Sequence, residues 1–198
     1  MKLALSQATP TGGDVAAAFA HLARSLAAAR EAGAEMLVLP ELFLPGYNRP
    51  DLHAALAQPM DGAWIARLRE MAAGAGCGLT LGWAERAGGD IHNAATAIGP
   101  DGGILAHYRK IQLYGPMERA SFRCGSAPPP VFGLGGRRFG LLVCYDVEFP
   151  GHVADLAGRG AGILLVPTAN PRGFEHVQRT LVPARAYENR MFVAYANW

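Results

Sequence analysis

The strongest constraint on the fold comes from residues 139–150, where a short apolar run ends abruptly at Cys144. Polar residues follow at once, and the pair Pro150-Gly151 then breaks the extended backbone. This pattern predicts a buried strand that projects Cys144 from its C-terminal edge, with a helix starting just after it. Enzymes of the α/β type place nucleophiles at such turns, because backbone N–H groups there can receive negative charge. A structural cysteine fits the segment equally well, since free cysteine is among the most buried residue types.

Two other segments carry a charged residue on a predicted strand or just beyond one. In residues 37–48 an apolar strand is followed by Glu41, a carboxylate that is costly to desolvate unless it has a partner or a function. Residues 108–118 put Lys110 on a predicted strand and Glu118 beyond a Gly-Pro turn. Alone, each of these signals is weak, because most lysines and glutamates are solvated surface residues.

Together the three segments resemble the nitrilase superfamily of carbon–nitrogen hydrolases. That family carries a glutamate–lysine–cysteine triad, and its order matches Glu41, Lys110 and Cys144 in this chain. Residues 162–171 and 184–189 also look like the strand and the helix that follow the nucleophile in the family. The resemblance therefore extends from residue 2 to the last residue, and it implies a single carbon–nitrogen hydrolase domain.

The hydrophobic periodicity indicates an α/β fold in which mixed sheets are covered by helices. Predicted strands occupy residues 2–8, 36–41, 78–85, 91–98, 103–111, 139–144, 162–167 and 190–196. Predicted helices run from the cap Asp14 through Arg30, from the cap Asp61, over residues 151–159 and over residues 174–189. Residues 99–103 give a strong hairpin signal, and residues 113–138 are predicted to be loop-rich. The family resemblance sharpens this fold class to an αββα sandwich over residues 1–198, with two sheets face to face and helices outside.

The C-terminus departs from the family pattern, because the chain stops at Trp198, at the end of a predicted strand. Family members usually continue with strands that complete the second sheet and with a tail that often crosses to a partner subunit. We therefore expect the native protein to be longer, with its C-terminal part missing from this chain. A smaller departure is Pro183, which is expected to kink or split the helix over residues 174–189.

The residue types suggest a thiol mechanism for the hydrolysis of an amide. Thiolate is a good nucleophile, but a free cysteine is mostly protonated at neutral pH, so Cys144 needs a base. Glu41 is the candidate base, since an apolar wall can raise the pKa of a carboxyl group toward neutrality. Lys110 and the backbone N–H of Tyr145 are the candidates for stabilising the oxyanion. Glu118, which matches a second family glutamate, is expected to hold Lys110 or the substrate amine and to help place the hydrolytic water, and no cofactor is needed.

Five further residues are candidates for substrate binding, most with a simpler alternative. Tyr47 and Tyr114 either line the pocket or serve only in packing. Glu148 either binds a substrate amine near the mouth or stabilises the dipole of the following helix. Asn170 and Phe174 follow a core strand, which is a position from which they would meet the acyl group.

Other polar and thiol side chains receive structural interpretations. Asp146 is expected to fix the nucleophile turn through backbone hydrogen bonds rather than to touch substrate. Arg185 and Glu188 are expected to form a pair on a helix surface or a subunit contact. Cys77 and Cys124 are expected to be spectators.

Composition excludes several classes of function. The net charge is +2 without a basic run, so nucleic acid is not expected as a partner. No apolar stretch approaches the length of a membrane span, and the N-terminal apolar run is too short for a signal peptide. The sparse, irregularly spaced cysteines indicate a reducing cytoplasm, and neither they nor the scattered histidines form a metal motif. The family resemblance implies a homodimer or larger homo-oligomer that acts on a small amide.

Several activities stay open within the superfamily. The motifs around and after the nucleophile look most like the amidase branch, and Tyr145-Asp146 argues against nitrilases, which typically show Trp-Glu there. An N-carbamoyl amino acid amidohydrolase is the alternative, with Arg172 or Arg179 to hold the substrate carboxylate. A binding or scaffold relative that has lost activity is more remote. A flavodoxin-like fold would need a glycine-rich phosphate loop after the first strand, which this chain does not supply.

Overall fold

The computed structural model describes residues 1–198 and contains two β-sheets flanked by helices. The strands of the first sheet are β1 Leu3–Leu5, β2 Met36–Val38, β3 Gly78–Ala87, β4 Asp90–Ile98 and β5 Ile104–Arg109. Those of the second are β6 Val131–Leu134, β7 Arg137–Leu141, β8 Ile163–Pro167 and β9 Phe192–Ala196. In both sheets the strands lie side by side in chain order.

Both sheets are mixed. In the first, β1, β2 and β3 are parallel, whereas β3, β4 and β5 form an antiparallel meander whose last turn is the predicted hairpin at residues 99–103. In the second, β7, β8 and β9 are parallel and β6 is an antiparallel edge strand. The ends of β2 and β8 meet, since the N–H of Glu41 donates to the carbonyl of Thr168 at 3.2 Å. This junction between the sheets is where the polar side chains converge.

The helices are α1 Val15–Glu31, α2 Pro50–Leu56, α3 Ala63–Ala75, α4 Gly115–Ser121, α5 Pro150–Gly158 and α6 Val182–Asn189. The first begins as predicted, because the Asp14 side chain accepts a hydrogen bond from the N–H of Ala17 at 2.9 Å. Apolar faces of α1 and α3, including Phe19 and Leu68, share one buried cluster with Leu37 of β2. These two helices therefore cover the outer face of the first sheet.

A second cluster fills the space between the sheets. Val38 of β2 and Leu141 of β7 belong to it, and both are fully buried. On the other side of β7, a Cβ at Gly140 would lie 2.9 Å from the side chain of Leu156, so α5 packs closely against the sheet backbone. The order of layers is helices, sheet, sheet, helices, which confirms the expected αββα sandwich.

The structure corrects the sequence prediction at several elements. The loop-rich region 113–138 contains α4 and β6, and α2 was not predicted at all. The helix expected from Asp61 has Gly62 as its N-cap and no side-chain cap, because a turn that ends at Gly62 delays the start of the helix. By contrast, the expected division of the helix over residues 174–189 is confirmed: it consists of a π-helical turn and α6, with Pro183 in the first turn of α6.

Candidate active site

Glu41 lies just past β2, where the backbone of β3 approaches it closely. A Cβ at Gly82 would lie 2.6 Å from the Cα of Glu41, so only glycine lets the two segments come together. The Glu41 side chain is completely buried. Its Oε1 accepts hydrogen bonds from Asn93 at 2.7 Å and from Lys110 at 2.6 Å, whereas its Oε2 has no partner.

Lys110 follows the last residue of β5 and is also completely buried. Its ammonium donates to Oε1 of Glu41 and, at 2.8 Å, to Oε1 of Glu118. Glu118 is held in turn, because its Oε1 accepts from the Tyr47 hydroxyl at 2.8 Å and its Oε2 accepts from the N–H of Tyr114 at 3.0 Å. One lysine therefore binds two buried carboxylates, one just past β2 and the other within α4.

Cys144 lies on a tight turn rather than at a strand end. The prediction of a strand over residues 139–144 is corrected, because β7 ends at Leu141 and a 3₁₀ turn spans Cys144–Glu148. The backbone of Cys144 has φ 45°, in the left-handed region that L-residues rarely adopt. The predicted helix follows as α5. A nucleophile on a strained strand-to-helix turn is a recurring arrangement in hydrolases.

Asp146 holds this turn as expected. Its Oδ2 accepts from the N–H of Val143 at 3.2 Å and from the Tyr108 hydroxyl at 3.1 Å. Its Oδ1 accepts from the N–H of Gln112 at 2.8 Å. A single buried carboxylate thus ties the nucleophile turn to the segment that carries Lys110.

Burial and charge set the protonation of the cluster. Burial raises the pKa of Glu41 to about 7, because the Lys110 ammonium opposes this shift only in part and Glu118 reinforces it. Burial alone lowers the pKa of Lys110, but the neighbouring anionic groups, Glu41 first, outweigh it and hold that pKa above its ordinary value. Burial and then the Glu41 carboxylate raise the pKa of the Cys144 thiol, against the opposing effect of Lys110. The resting site therefore holds a thiol, an ammonium and a carboxyl group near its titration point.

A cleft of about 290 Å³ opens beside this cluster. It is lined by Pro10, Tyr47, Asn48, Tyr114, Ala169, Asn170, Pro171 and Trp198. Tyr47, Tyr114 and Asn170, three of the predicted substrate-binding residues, thus share one cavity. Phe174 meets the Tyr114 ring edge-on at 5.8 Å between centroids, and neither it nor Glu148 lines the cleft.

Several contributors to the site were not predicted from the sequence. Asn93, fully buried in β4, positions Glu41, and a polar residue at an apolar position of that strand is the signal that would have indicated it. The indole N–H of Trp198 donates to the Glu41 carbonyl at 3.1 Å, a contact between distant segments that no local pattern signals. The Thr168 side chain and the Ala169 backbone lie beside the Cys144 thiol and lower its pKa in part.

Arg185 forms its expected pair with Glu188, but its side chain is buried rather than on the helix surface. It is only 8% exposed, and its guanidinium donates to the carbonyls of Val147 at 3.1 Å and Glu148 at 2.9 Å. The expected pair with Glu188 does form, at 3.0 Å, but it is the outer edge of a contact that fastens α6 to the nucleophile turn. The periodicity of α6 could not reveal this, because the carbonyls that it serves belong to another segment.

No group of three or more His, Cys, Asp or Glu side chains is arranged to hold a metal ion. None of the helices is both long enough and apolar enough to cross a bilayer. The four-layer fold thus brings a cysteine on a tight turn close to buried carboxylates. The family model described as carbon-nitrogen hydrolase matches residues 2–198. The chain belongs to this carbon–nitrogen hydrolase family, within the nitrilase superfamily.

Similar proteins agree with this assignment. The chain is 41% identical to a protein of Pseudomonas protegens named hydrolase in pqqF 5'region, over 100% of this chain and 70% of that protein. It is 35% identical to an (R)-stereoselective amidase of a Pseudomonas species, with the same two coverages.

A solved structure is similar over the whole chain. The amidase from Nesterenkonia sp. AN1, in a form with acrylamide added to its active-site cysteine, superposes with a TM-score of 0.93 at 40% identity. The match covers 100% of this chain and 78% of that one. A cysteine variant of the same amidase was solved in complex with butyramide.

Proposed function

We propose that this protein is a thiol-dependent amidase that converts a small carboxamide to a carboxylic acid and ammonia through an acyl-enzyme thioester. Family membership supports hydrolysis of a carbon–nitrogen bond. The observation that carries the finer proposal is the buried Glu41 carboxyl group, which has one oxygen bound to Lys110 and the other without any partner. A carboxyl group with pKa about 7 and a free oxygen is suited both to accept and to return a proton.

In the first half-reaction Glu41 takes the proton from Cys144, whose raised pKa makes such a base necessary. The sulfur attacks the amide carbon, a C–S bond forms, and negative charge moves to the carbonyl oxygen. The Lys110 ammonium and the N–H of Tyr145 are the proposed donors to this oxyanion, and such donors contribute most where water is excluded. The C–N bond of the tetrahedral species then breaks. The leaving amide nitrogen takes the proton held on Glu41, and ammonia is released.

In the second half-reaction water attacks the thioester carbon. Glu41 again removes a proton, this time from water, and returns it to the sulfur as the C–S bond breaks. Glu118 keeps the Lys110 ammonium in place through its 2.8 Å contact and is proposed to orient the water. The carboxylic acid is released and the thiol is restored, without any cofactor.

The cleft favours a neutral substrate. None of its lining residues carries a charge, and neither Arg172 nor Arg179 is among them. An N-carbamoyl amino acid would bring a carboxylate that this cavity does not match, so the proposal is a neutral amide. The Nesterenkonia amidase, solved with acrylamide and with butyramide, supports the same choice.

We also propose a homodimer or larger homo-oligomer, and a reducing, cytoplasmic location. Tyr187 and Phe192 are 89% and 78% exposed, and such large aromatic surfaces favour association. The three cysteines are free, which is consistent with a thiol nucleophile in a reducing compartment. Sedimentation velocity over a range of concentrations tests the first proposal, and a monomer at all concentrations contradicts it.

The test of activity is ammonia release from a panel of small amides, nitriles and N-carbamoyl amino acids. Release that is confined to amides and absent in Cys144→Ala supports the proposal. Release from carbamoyl substrates transfers the assignment to that activity. A folded protein that releases no ammonia from any compound contradicts the catalytic proposal and favours a relative that has lost activity and only binds.

A further inference from the structure

His53 is a buried histidine with no part in the proposed chemistry. It lies on α2 and is fully buried, so its ring has no access to solvent. Its Nε2 lies 3.0 Å from the carbonyl oxygen of Gly46, and its Nδ1 has no partner. Because a carbonyl oxygen only accepts, Nε2 carries the hydrogen and the ring is the neutral Nε2–H tautomer. Burial lowers the pKa of His53, which keeps the ring in that form.

The ring touches two segments that meet at the candidate site. Gly46, which it bonds, directly precedes Tyr47 and has φ 135°, a conformation that few residues other than glycine adopt. On its other side the ring packs on Phe122 at 4.7 Å between centroids. Phe122 ends α4, and its N–H donates to the carbonyl of Glu118 at 2.8 Å.

Those two segments are joined across the site by a single side-chain hydrogen bond. The Tyr47 hydroxyl donates to Oε1 of Glu118 at 2.8 Å, the same oxygen that accepts from Lys110. A small displacement of either segment would lengthen this bond, since charge-assisted hydrogen bonds need short distances and good alignment. A leucine of similar bulk would fill the same space without an N–H, so packing alone does not account for a histidine with an unpaired buried nitrogen.

We propose that His53 is a positioning residue for amide hydrolysis, which holds the Gly46–Tyr47 turn against α4 so that Tyr47 engages Glu118. This inference rests on the proposed function, because its main readout is ammonia release. His53 does not touch the reacting atoms, and its effect passes through Tyr47. It follows that removing the His53 N–H should matter only while the Tyr47 hydroxyl is present.

The test is a double-mutant cycle between His53→Leu and Tyr47→Phe, with kcat and KM measured for the same amide. We expect each single variant to lower kcat about tenfold, the usual effect of losing a hydrogen bond to a charged group, with little change in KM. The double variant should be no worse than Tyr47→Phe alone. His53→Gln, whose amide N–H reaches about as far as Nε2, should recover most of the lost kcat. Additive losses, no effect of Tyr47→Phe, or failure of His53→Gln to recover activity would each overturn the proposal.

A matched control separates positioning from general destabilisation. His92 is likewise buried, and its Nδ1 lies 2.8 Å from the carbonyl of Arg123. Its side chain points to the opposite face of β4 from Asn93, because successive residues of a strand alternate. His92→Leu is expected to lower the melting temperature as much as His53→Leu does and to leave kcat within about twofold. An equal loss of kcat in His53→Leu and His92→Leu would mean that His53 only stabilises the fold. If His53→Leu does not fold, His53→Asn, whose amide is too short to reach Gly46, replaces it.

A second readout keeps this inference distinct from the amidase proposal. Alkylation of Cys144 by N-ethylmaleimide, followed by intact mass in a Cys124→Ser background, reports on the thiol without hydrolysis of an amide substrate. Cys124 is removed because it is exposed and would react as well. If no amide is hydrolysed, the amidase proposal fails. His53→Leu and Tyr47→Phe should still each change the alkylation rate by the same factor, about threefold or more, and the double variant should change it no further. An alkylation rate that is the same in His53→Leu and in the wild type contradicts the positioning role of His53.

Discussion

Two carboxylates, each almost completely buried beside basic partners, lie on opposite sides of the first sheet and have opposite properties. Glu85 of β3 is 1% exposed and accepts from Arg109 through both oxygens at 2.7 Å and from His107 at 3.0 Å. Glu41 is 0% exposed and shares Lys110 with another carboxylate. Burial raises the pKa of Glu85, but Arg109 and His107 outweigh it and hold that pKa at about 2. The pKa of Glu41 is raised to about 7.

Burial raises the pKa of both carboxyl groups, and pairing and solvent then separate the two pKa values. Both oxygens of Glu85 are occupied, and its partners Arg109 and His107 are 39% and 22% exposed, so water helps to solvate the cluster. The Glu41 cluster has one cation for two carboxylates, and no partner reaches solvent. A fully paired carboxylate favours its anion and stabilises the fold, whereas an underpaired one lies near its titration point. The contrast indicates that the number of cationic donors per carboxylate, together with their access to solvent, separates a structural carboxylate from a reactive one.

The largest expected effect is on catalysis. Glu41→Gln keeps the shape of the side chain and removes the proposed base, so kcat should fall about a thousandfold, within the range for general acid–base catalysis. Glu85→Gln should leave kcat within about threefold, since Glu85 belongs to a structural network. Ammonia release at saturating amide measures both. If Glu41→Gln and Glu85→Gln lose similar activity, the distinction between a reactive Glu41 and a structural Glu85 is wrong.

The next effect concerns the close approach that positions Glu41. A Cβ at Gly82 would lie 2.5 Å from the backbone N of Leu42, so Gly82→Ala must push the Glu41 segment away from β3. We expect a loss of about 3 kcal/mol in the free energy of unfolding, at the upper end of overpacking costs, together with a fall in kcat. Urea denaturation and ammonia release check the two parts.

Gly89→Ala is the matched control, because nothing lies within 4 Å of a Cβ there and Gly89 lies in the turn between β3 and β4. It should leave both stability and kcat close to those of the wild type. A tolerated Gly82→Ala would show that the Glu41 segment has room to move.

Much of this site could be predicted from the sequence because two of its residues lie at the ends of apolar runs. Glu41 and Cys144 each follow such a run, Lys110 lies on a predicted strand, and the family order grouped the three before any geometry was known. The existence of most strands and of the hairpin was predicted from the hydrophobic patterning and from the glycines of the turn, although several strand ends differ in the structure. Features that depend on a local run of residues could therefore be predicted from the sequence.

The parts that could not be predicted depend on distant or very short segments. Helices α2 and α4 each have 7 residues, too few for a helical period to stand out. Asn93, Trp198 and Arg185 act on backbone or side chains far along the chain, so no spacing rule indicates their partners. The left-handed backbone of Cys144 is likewise imposed by the packing around its turn, not by its own preference.

A smaller effect concerns stability of the Glu85 cluster. Glu85→Gln removes the charge of a carboxylate that accepts two hydrogen bonds from Arg109. Because Arg109 is partly exposed and water can replace part of what is lost, we expect a decrease of about 2 kcal/mol in the free energy of unfolding at pH 7. Chemical denaturation measures it. An unchanged midpoint would mean that the network adds no net stability.

The smallest effects are opposite dependences of stability on pH. The folded pKa of Glu85, about 2, lies below the ordinary glutamate value of 4.5, so its contribution is present above pH 4.5 and is lost as pH falls through 2. The folded pKa of Glu41, about 7, lies above 4.5, so the folded state binds that proton more tightly. Its contribution is therefore present below pH 4.5 and is lost as pH rises through 7.

Unfolding free energies of the wild type and of each Gln variant, measured from pH 3 to 8, isolate the two contributions. Relative to Glu85→Gln, the wild type should lose stability toward acid, and relative to Glu41→Gln it should lose stability toward neutral pH. Neither slope should exceed about 1.4 kcal/mol per pH unit, the value for one proton. Slopes of the same sign for both variants would contradict the assignment of one carboxylate as structural and the other as poised for proton transfer, because that assignment depends on their pKa values moving apart.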